Sequence, residues 1–76
     1  MDIEKIVIES AAAAYMVPED QITPSTDIRK DLSNKSMQML AFISGIENEC
    51  GVAIPLGQTG ELITIQDFID KAKQQL

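Results

Sequence analysis

Ser36 is the residue whose type and position best suit chemistry, because its hydroxyl stands where a polar loop gives way to an amphipathic helix. The N–H groups in the first turn of a helix have no intrahelical partner and carry partial positive charge. An anion attached to Ser36 would therefore be stabilised, and the segment from Asp31 to Leu40 suits the attachment of a phosphate-linked group. A serine before a helix is more commonly a simple N-cap, and this segment alone does not separate the two interpretations.

The other reactive residue types argue against a conventional active site. The chain has no histidine, so the commonest general base and metal ligand is missing. Cys50 is the single cysteine, which excludes an internal disulfide and leaves no Cys/His set for zinc. Its position on the inward stripe of a predicted helix favours a buried apolar role over a reactive thiol. We therefore expect neither an enzyme nor a metal-binding protein.

Size and charge narrow the class of partner. The 76 residues are expected to form one domain, residues 1–76. Twelve acidic and six basic residues give a net charge of −6, which disfavours nucleic acid and anionic membranes as partners and also promotes solubility. The acidic start Met1–Glu4 is unlike a signal peptide, and no segment approaches transmembrane length. We expect a cytoplasmic monomer with no membrane insertion.

Three main helices are predicted from the 3.6-residue spacing of apolar residues. The first runs from about residue 3 to residue 15 or 16, the second from near Ser36 to Gly51, and the last from about Ile65 to Gln75. Asp2 is the expected N-cap of the first helix, and Thr64 with Asp67 is the expected capping box of the last. These helices are the elements that would position Ser36.

The connections between the helices are predicted to be irregular but ordered. Residues 17–35 form a long first loop with apolar side chains spaced to dock onto the helices: Val17, Ile22, Ile28 and Leu32. Residues 56–62 contain two glycines and are predicted to hold one short, weak helical turn. The predicted fold is all-α, a small four-helix bundle of three main helices and one short helix, with a long first loop.

Two features of the predicted second helix bear on its packing. Gly45 costs roughly 1 kcal/mol relative to alanine, which suggests that it permits a close contact, either with a neighbouring helix or with a partner. At least one of Met37 and Met39 is expected in the core, and Met37 is the better candidate for an adaptable docking contact.

Three short motifs follow one another at a fixed spacing. Asp31–Met37 reads Asp-Leu-Ser-Asn-Lys-Ser-Met, Ile54-Pro55 follows, and residues 63–66 read Ile-Thr-Ile-Gln. Together they resemble the acyl carrier protein family, in which Asp-Leu-Gly-x-Asp-Ser-Leu stands at the start of the second helix. An Ile-Pro pair and an Ile-Thr-Thr-Val-Gln segment lie further along in that family. The landmarks match without gaps from Ser36 onward, and the resemblance covers nearly the whole chain.

The resemblance implies that Ser36 carries 4′-phosphopantetheine. A phosphopantetheinyl transferase would move this group from coenzyme A, and the thiol at the end of the arm would carry acyl groups as thioesters. The protein itself would shelter the acyl chain and dock to successive enzymes. By this resemblance, the residues expected in the core are also candidates to line an acyl pocket: Ile28, Leu40, Phe42, Ile43, Ile46, Ile54, Leu62 and Phe68.

The departures from the family's pattern concern the exposed face of the second helix. Carrier proteins usually have Asp before the modified serine, where this chain has Lys35. Glu47 is the one acid among the predicted docking residues, and Glu49 lies beside this set. The predicted docking residues are Lys35, Met37, Gln38, Ala41, Glu47 and Asn48. Each exposed ion pair is worth about 0–1 kcal/mol, so several lost charges would weaken binding to a standard partner by roughly one to two orders of magnitude. The expected partners are acyl-transferring or acyl-modifying enzymes with a less basic docking surface, in a specialised lipid or secondary-metabolite pathway.

Two alternatives stay open at this point. The chain would act as a protein interaction module if it kept the carrier fold with an unmodified Ser36, and Lys35 favours this option because a transferase that expects Asp would meet the opposite charge. An aminoacyl or peptidyl carrier would share the chemistry of an acyl carrier and differ only in its cargo.

Overall fold

Three α-helices, α1 (Ile3–Tyr15), α2 (Ser36–Cys50) and α3 (Ile65–Gln74), form the framework of the computed structural model, which describes all residues from 1 to 76. The Asp2 carboxylate accepts the Lys5 N–H at 3.1 Å and caps α1 as predicted. Gly51, at φ 69°, ends α2 in the left-handed conformation that glycine adopts at low cost. The predicted bounds of all three helices are confirmed to within a residue or two.

The first loop is ordered by hydrogen bonds that the pattern of apolar residues did not reveal. A 3₁₀ turn covers Glu19–Gln21, and a π-helical turn covers Ile28–Leu32. In the second turn, the Asp27 carboxylate accepts the Lys30 N–H at 3.0 Å, while Asp31 accepts the Asp27 N–H at 2.9 Å. With a 3₁₀ turn at Leu56–Glu61 as well, the chain has three short helical turns rather than the one predicted. Side-chain bonds stabilise the turn at residues 28–32, whereas backbone bonds alone close the turn at Glu19–Gln21.

An isolated antiparallel bridge between Asp27 and Thr64 fixes the first loop to the start of α3. The Ile28 N–H donates to the Ile63 carbonyl at 3.1 Å, and the Ile65 N–H donates to the Thr26 carbonyl at 3.1 Å. This single bridge is the only β-type pairing, so the all-α prediction is confirmed. It also sets the position of the loop that leads into Ser36.

The core is built mostly of aliphatic side chains from all three helices and from the loops. Of the predicted loop anchors, Ile22 and Ile28 are buried, while Val17 and Leu32 pack against the core from its edge. The other residues of the predicted core are buried or, for Leu62, partly buried, with one exception. The buried ones are Phe42, Ile43, Ile46, Ile54 and Phe68.

Leu40 is the exception, since 47% of its surface is exposed. The buried line of α2 runs through Met39, Phe42, Ile43, Ile46 and Cys50. Leu40 follows Met39 by one residue, which turns its side chain by about 100° around the helix and away from the core. The prediction of Leu40 as a core residue is therefore wrong, and Met39 takes the inward position.

Candidate functional site

Ser36 is the first residue of α2, and its side chain is exposed. Lys35 occupies the N-cap position with extended backbone angles (φ −86°, ψ 129°), and its side chain accepts no bond from the helix. Along α2, the Met39 N–H is the first that makes a backbone hydrogen bond, and it donates to the Lys35 carbonyl at 3.2 Å. The hydroxyl of Ser36 therefore does not act as the N-cap, and the N–H groups ahead of Met39 remain open to an anion.

The turn before Ser36 is held by Ser33. Its N–H donates to the Ile28 carbonyl at 3.0 Å, and its Oγ accepts the Lys35 N–H at 3.2 Å. Ser33 has extended backbone angles (φ −167°, ψ 150°), which a residue with a side chain adopts freely. The serine that replaces the usual glycine of this motif is therefore compatible with the turn and contributes a hydrogen bond to it.

A cavity of about 300 Å³ opens beside Ser36. Its wall combines two cations, several polar groups and two apolar side chains: Arg29, Ser33, Asn34, Lys35, Ser36, Met39, Leu56 and Thr59. None of the eight acyl-pocket candidates lines it. Those residues fill the core instead, apart from exposed Leu40 and partly buried Leu62.

Arg29 holds the far wall of this cavity in place. Its guanidinium donates to the Leu62 carbonyl at 3.0 Å and to the Thr59 carbonyl at 2.9 Å, and the Thr59 hydroxyl donates to the Leu56 carbonyl at 2.8 Å. No sequence pattern predicted Arg29, Leu56 or Thr59 as residues of this site. Local spacing carries no signal for them, because the cavity forms only where the turn at residues 56–61 folds against the turn at residues 28–32.

The predicted docking residues divide between an exposed face and its edges. Lys35, Met37, Ala41 and Asn48 are exposed, with 82% of the Met37 surface open to solvent. Gln38 is half-buried, and its Oε1 is buried with no hydrogen-bond partner.

Glu47, the one acid among the predicted docking residues, is bound to the protein itself. Its side chain is half-buried, and its Oε2 accepts the Ile54 N–H at 2.8 Å. Glu49 lies on the other side of the helix, where with Glu9 of α1 it lines a groove of about 470 Å³ between α1 and α2. The two acids of α2 thus lie near its C-terminal end, and its first three turns, residues 36–46, carry none.

Cys50 is buried at the end of α2, as predicted. Burial raises the pKa of its thiol, and the neighbouring charge of Glu49 raises it further. A thiol with a raised pKa in the core reacts slowly, because the thiolate is the reactive form. Cys50 therefore takes no part in the site around Ser36.

None of the helices combines the length and the apolar character that a membrane crossing requires.

No family model matches the chain. It is 27% identical over 74 residues to an acyl carrier protein of Treponema denticola, covering 97% of this chain and 95% of that relative. It is also 29% identical over 73 residues to an acyl carrier protein of Rubrobacter xylanophilus, covering 92% and 90% of the two chains. A third acyl carrier protein, from Saccharopolyspora erythraea, is 29% identical over 63 residues, or 83% of this chain and 62% of that relative.

Proposed function

Because this chain is a divergent member of the acyl carrier protein family, we propose that it carries acyl groups as thioesters on 4′-phosphopantetheine attached to Ser36. The observation that carries the proposal is the position of Ser36, whose exposed hydroxyl lies beside the N–H groups at the start of α2 that have no hydrogen-bond partner. The chain acts as a carrier, and catalysis belongs to the enzymes that load and use it. We propose a cytoplasmic monomer that serves a specialised lipid or secondary-metabolite pathway.

The residues around Ser36 fit a phosphodiester. The open N–H groups of α2 favour a negative charge, and Lys35 and Arg29 bring two cations to the cavity beside the hydroxyl. When bound, the arm supplies the thiol on which the acyl group is carried. The polar and apolar walls of the cavity leave room for the first part of the arm beside the helix.

The attachment step transfers a phosphoryl-linked group from coenzyme A. The Ser36 oxygen attacks the phosphorus of the pyrophosphate that bears pantetheine, a new O–P bond forms, and the bond to the adenosine bisphosphate half breaks. The proton of the hydroxyl passes to a base on the phosphopantetheinyl transferase, because no histidine exists here and no carboxylate lines the cavity. The chain itself contributes the nucleophile and a site that favours the product's charge.

Mass spectrometry of the intact protein tests the proposal. Incubation with coenzyme A, Mg²⁺ and several phosphopantetheinyl transferases, including that of the native cell, should add one phosphopantetheine to the wild type and none to Ser36→Ala. Ser44→Ala is the matched control, since Ser44 is an exposed serine on the same helix, and it should be modified like the wild type. A thiol reagent should also find one fast-reacting thiol only after modification, because Cys50 is buried.

An unmodified interaction module is the second candidate function, and the charge of Lys35 is the observation that favours it. Failure of every transferase to modify the wild type would reject the carrier proposal in favour of this one. An aminoacyl or peptidyl carrier would be modified in the same way and would then differ in the cargo found on the arm.

A further inference from the structure

Exposed apolar side chains and one lysine flank Ser36. Met37 is 82% exposed and Leu40 is 47% exposed, one and four residues after Ser36 along α2. Leu56, which is 54% exposed, lines the cavity that Ser36 opens into. Three large apolar side chains thus lie close to the hydroxyl, with exposed Lys35 at the N-terminal edge.

The first three turns of α2, residues 36–46, carry no acidic residue. At about 100° per residue, the positions opposite the buried line of α2 are Met37, Ala41, Ser44 and Asn48, none of them acidic. Glu47 is bonded to the Ile54 N–H, and Glu49 lines the groove against α1. A partner's basic cluster placed over the first turns of α2 would therefore find no counter-charge there and would meet Lys35 instead.

Any enzyme that reaches the Ser36 oxygen must cover this surface, because the flanking side chains lie within one helical turn of it. Burial of the exposed apolar side chains is favourable only against an apolar surface, and burial of Lys35 is favourable only against an anion. The acid nearest to Ser36 in the chain, Asp31, lies in the turn at residues 28–32, where its carboxylate accepts the Asp27 N–H at 2.9 Å.

We propose that the enzymes serving this carrier meet α2 with an apolar surface and a carboxylate placed opposite Lys35, in the place of a basic cluster. This inference rests on the proposed function, and it names the chemistry of the partner that the site takes. The apolar part of the contact provides affinity, and the carboxylate fixes the orientation of the carrier over Ser36.

Steady-state kinetics of the native cell's phosphopantetheinyl transferase tests the proposal, with the carrier as the varied substrate. We expect kcat/KM to fall in the order wild type, Lys35→Gln, Lys35→Glu, by roughly tenfold overall, with the change in the KM for the carrier. Lys5→Glu is the matched control and should leave the rate unchanged. Lys5 is an exposed lysine in the first turn of α1.

The position of Lys5 places it far from Ser36. The start of α1 shares a surface depression with Lys73, in the last turn of α3, and Gln75 beyond it bonds to Ala53, just past the end of α2. Lys5 and Leu76 therefore lie toward the end of α2 opposite Ser36, about 20 Å away along a helix of this length.

Two confounding effects are separable from docking. Lys35→Glu places an anion at the N-terminus of α2, which stabilises the helix, so thermal unfolding should show no loss of folded protein. A contact of Lys35 with the phosphates of coenzyme A would appear in the KM for coenzyme A, and a change confined to that KM would overturn the proposal. In a docking contact, replacing a carboxylate beside the transferase's active site by lysine should restore the rate of Lys35→Glu.

The apolar half of the contact has its own test. Met37→Ser and Leu40→Ser should each raise the KM for the carrier several-fold, while Leu76→Ser, an exposed apolar residue at the opposite end, should not. Equal rates for all Lys35 variants, or a faster Lys35→Glu, would overturn the proposal while the wild type's modification still upholds the carrier function. A wild type that no transferase modifies would instead reject the carrier function itself.

Discussion

Lys35 is the residue whose presence the stability of the fold does not explain. A lysine side chain at an N-cap position accepts no bond from the helix's N–H groups, and its charge opposes the positive end of the helix dipole. The structure shows no compensating bond from its side chain. Substitution by Asp or Ser should therefore stabilise α2, which is consistent with the proposed role of Lys35 in docking near Ser36.

Asp67 offers a test at the scale of single residues through its pH dependence. Its Oδ2 accepts the N–H groups of Ile63 at 2.8 Å and of Thr64 at 3.0 Å, and such bonds hold the pKa of the carboxyl below its usual value. A lowered pKa in the folded state means that the carboxylate stabilises the fold above the unfolded-state pKa of about 3.9. This stabilisation is lost as the pH falls through the folded-state pKa.

Because solvent screens this partly exposed carboxylate, we expect Asp67→Asn to lower the free energy of unfolding by only about 0.5–1 kcal/mol near pH 7, and the difference from wild type to shrink below about pH 4. Urea unfolding over this pH range measures it. Asp70→Asn, an exposed acid on the same helix that accepts a side-chain bond from Gln66, is the control. A difference for Asp67→Asn that stays constant with pH would contradict the argument.

At the scale of elements, the packing of α1 on α2 depends on the pair Ser10 and Gly45. A Cβ added at Gly45 would lie 3.0 Å from the Ser10 Oγ and 3.1 Å from its Cβ. The hydroxyl can rotate away, but the Cβ moves only with the backbone of α1. The glycine predicted to permit a close contact therefore serves a neighbouring helix.

A double-mutant cycle tests this contact. Gly45→Ala gains about 1 kcal/mol of helix propensity, but we expect the crowding against Ser10 to outweigh it and to destabilise the protein. In a Ser10→Gly background the same substitution should stabilise by about 1 kcal/mol, since the obstructing Cβ is gone. Chemical denaturation of the four proteins gives the coupling energy, and equal effects of Gly45→Ala in both backgrounds would show that the helices are not in close contact.

At the scale of the whole molecule, the aromatic ring of Phe42 connects all three helices. It meets Tyr15 of α1 edge-on at a centroid distance of 6.0 Å, and Phe68 of α3 at 4.8 Å. Phe42 is fully buried. Because these three rings are the only aromatic ones in the chain, their arrangement ties α2, which bears Ser36, to the rest of the core.

Phe42→Ala should cost about 3–5 kcal/mol of a total stability on the order of 4–11 kcal/mol for a domain of this size. Leu40→Ala is the matched control on the same helix, and its exposure predicts a change within about 0.5 kcal/mol. Thermal and urea unfolding measure both. A loss above about 2 kcal/mol for Leu40→Ala would return Leu40 to the core and contradict its observed position.

The sequence by itself determined the helices and their ends. The spacing of apolar residues fixed the three α-helices, and Asp2, Gly51 and the Thr64–Asp67 pair fixed where they begin or end, because capping depends on residues next to one another in the chain. The motif around Ser36 is local in the same sense. Cys50 was correctly placed in the core because helical periodicity decides which side of an element faces inward.

Only the tertiary structure decided how Ser36 is surrounded. The cavity beside it forms where Arg29 reaches carbonyl groups about thirty residues away, and no local pattern encodes a contact of that kind. Likewise, the sequence predicted Glu47 as a docking residue on the exposed face of α2, and the structure shows that its carboxylate accepts the Ile54 N–H. Leu40 was predicted in the core, but Met39 is buried there and Leu40 is exposed. The packing of neighbouring elements decides which side of a helix faces inward, and the sequence does not distinguish two adjacent apolar residues in this respect.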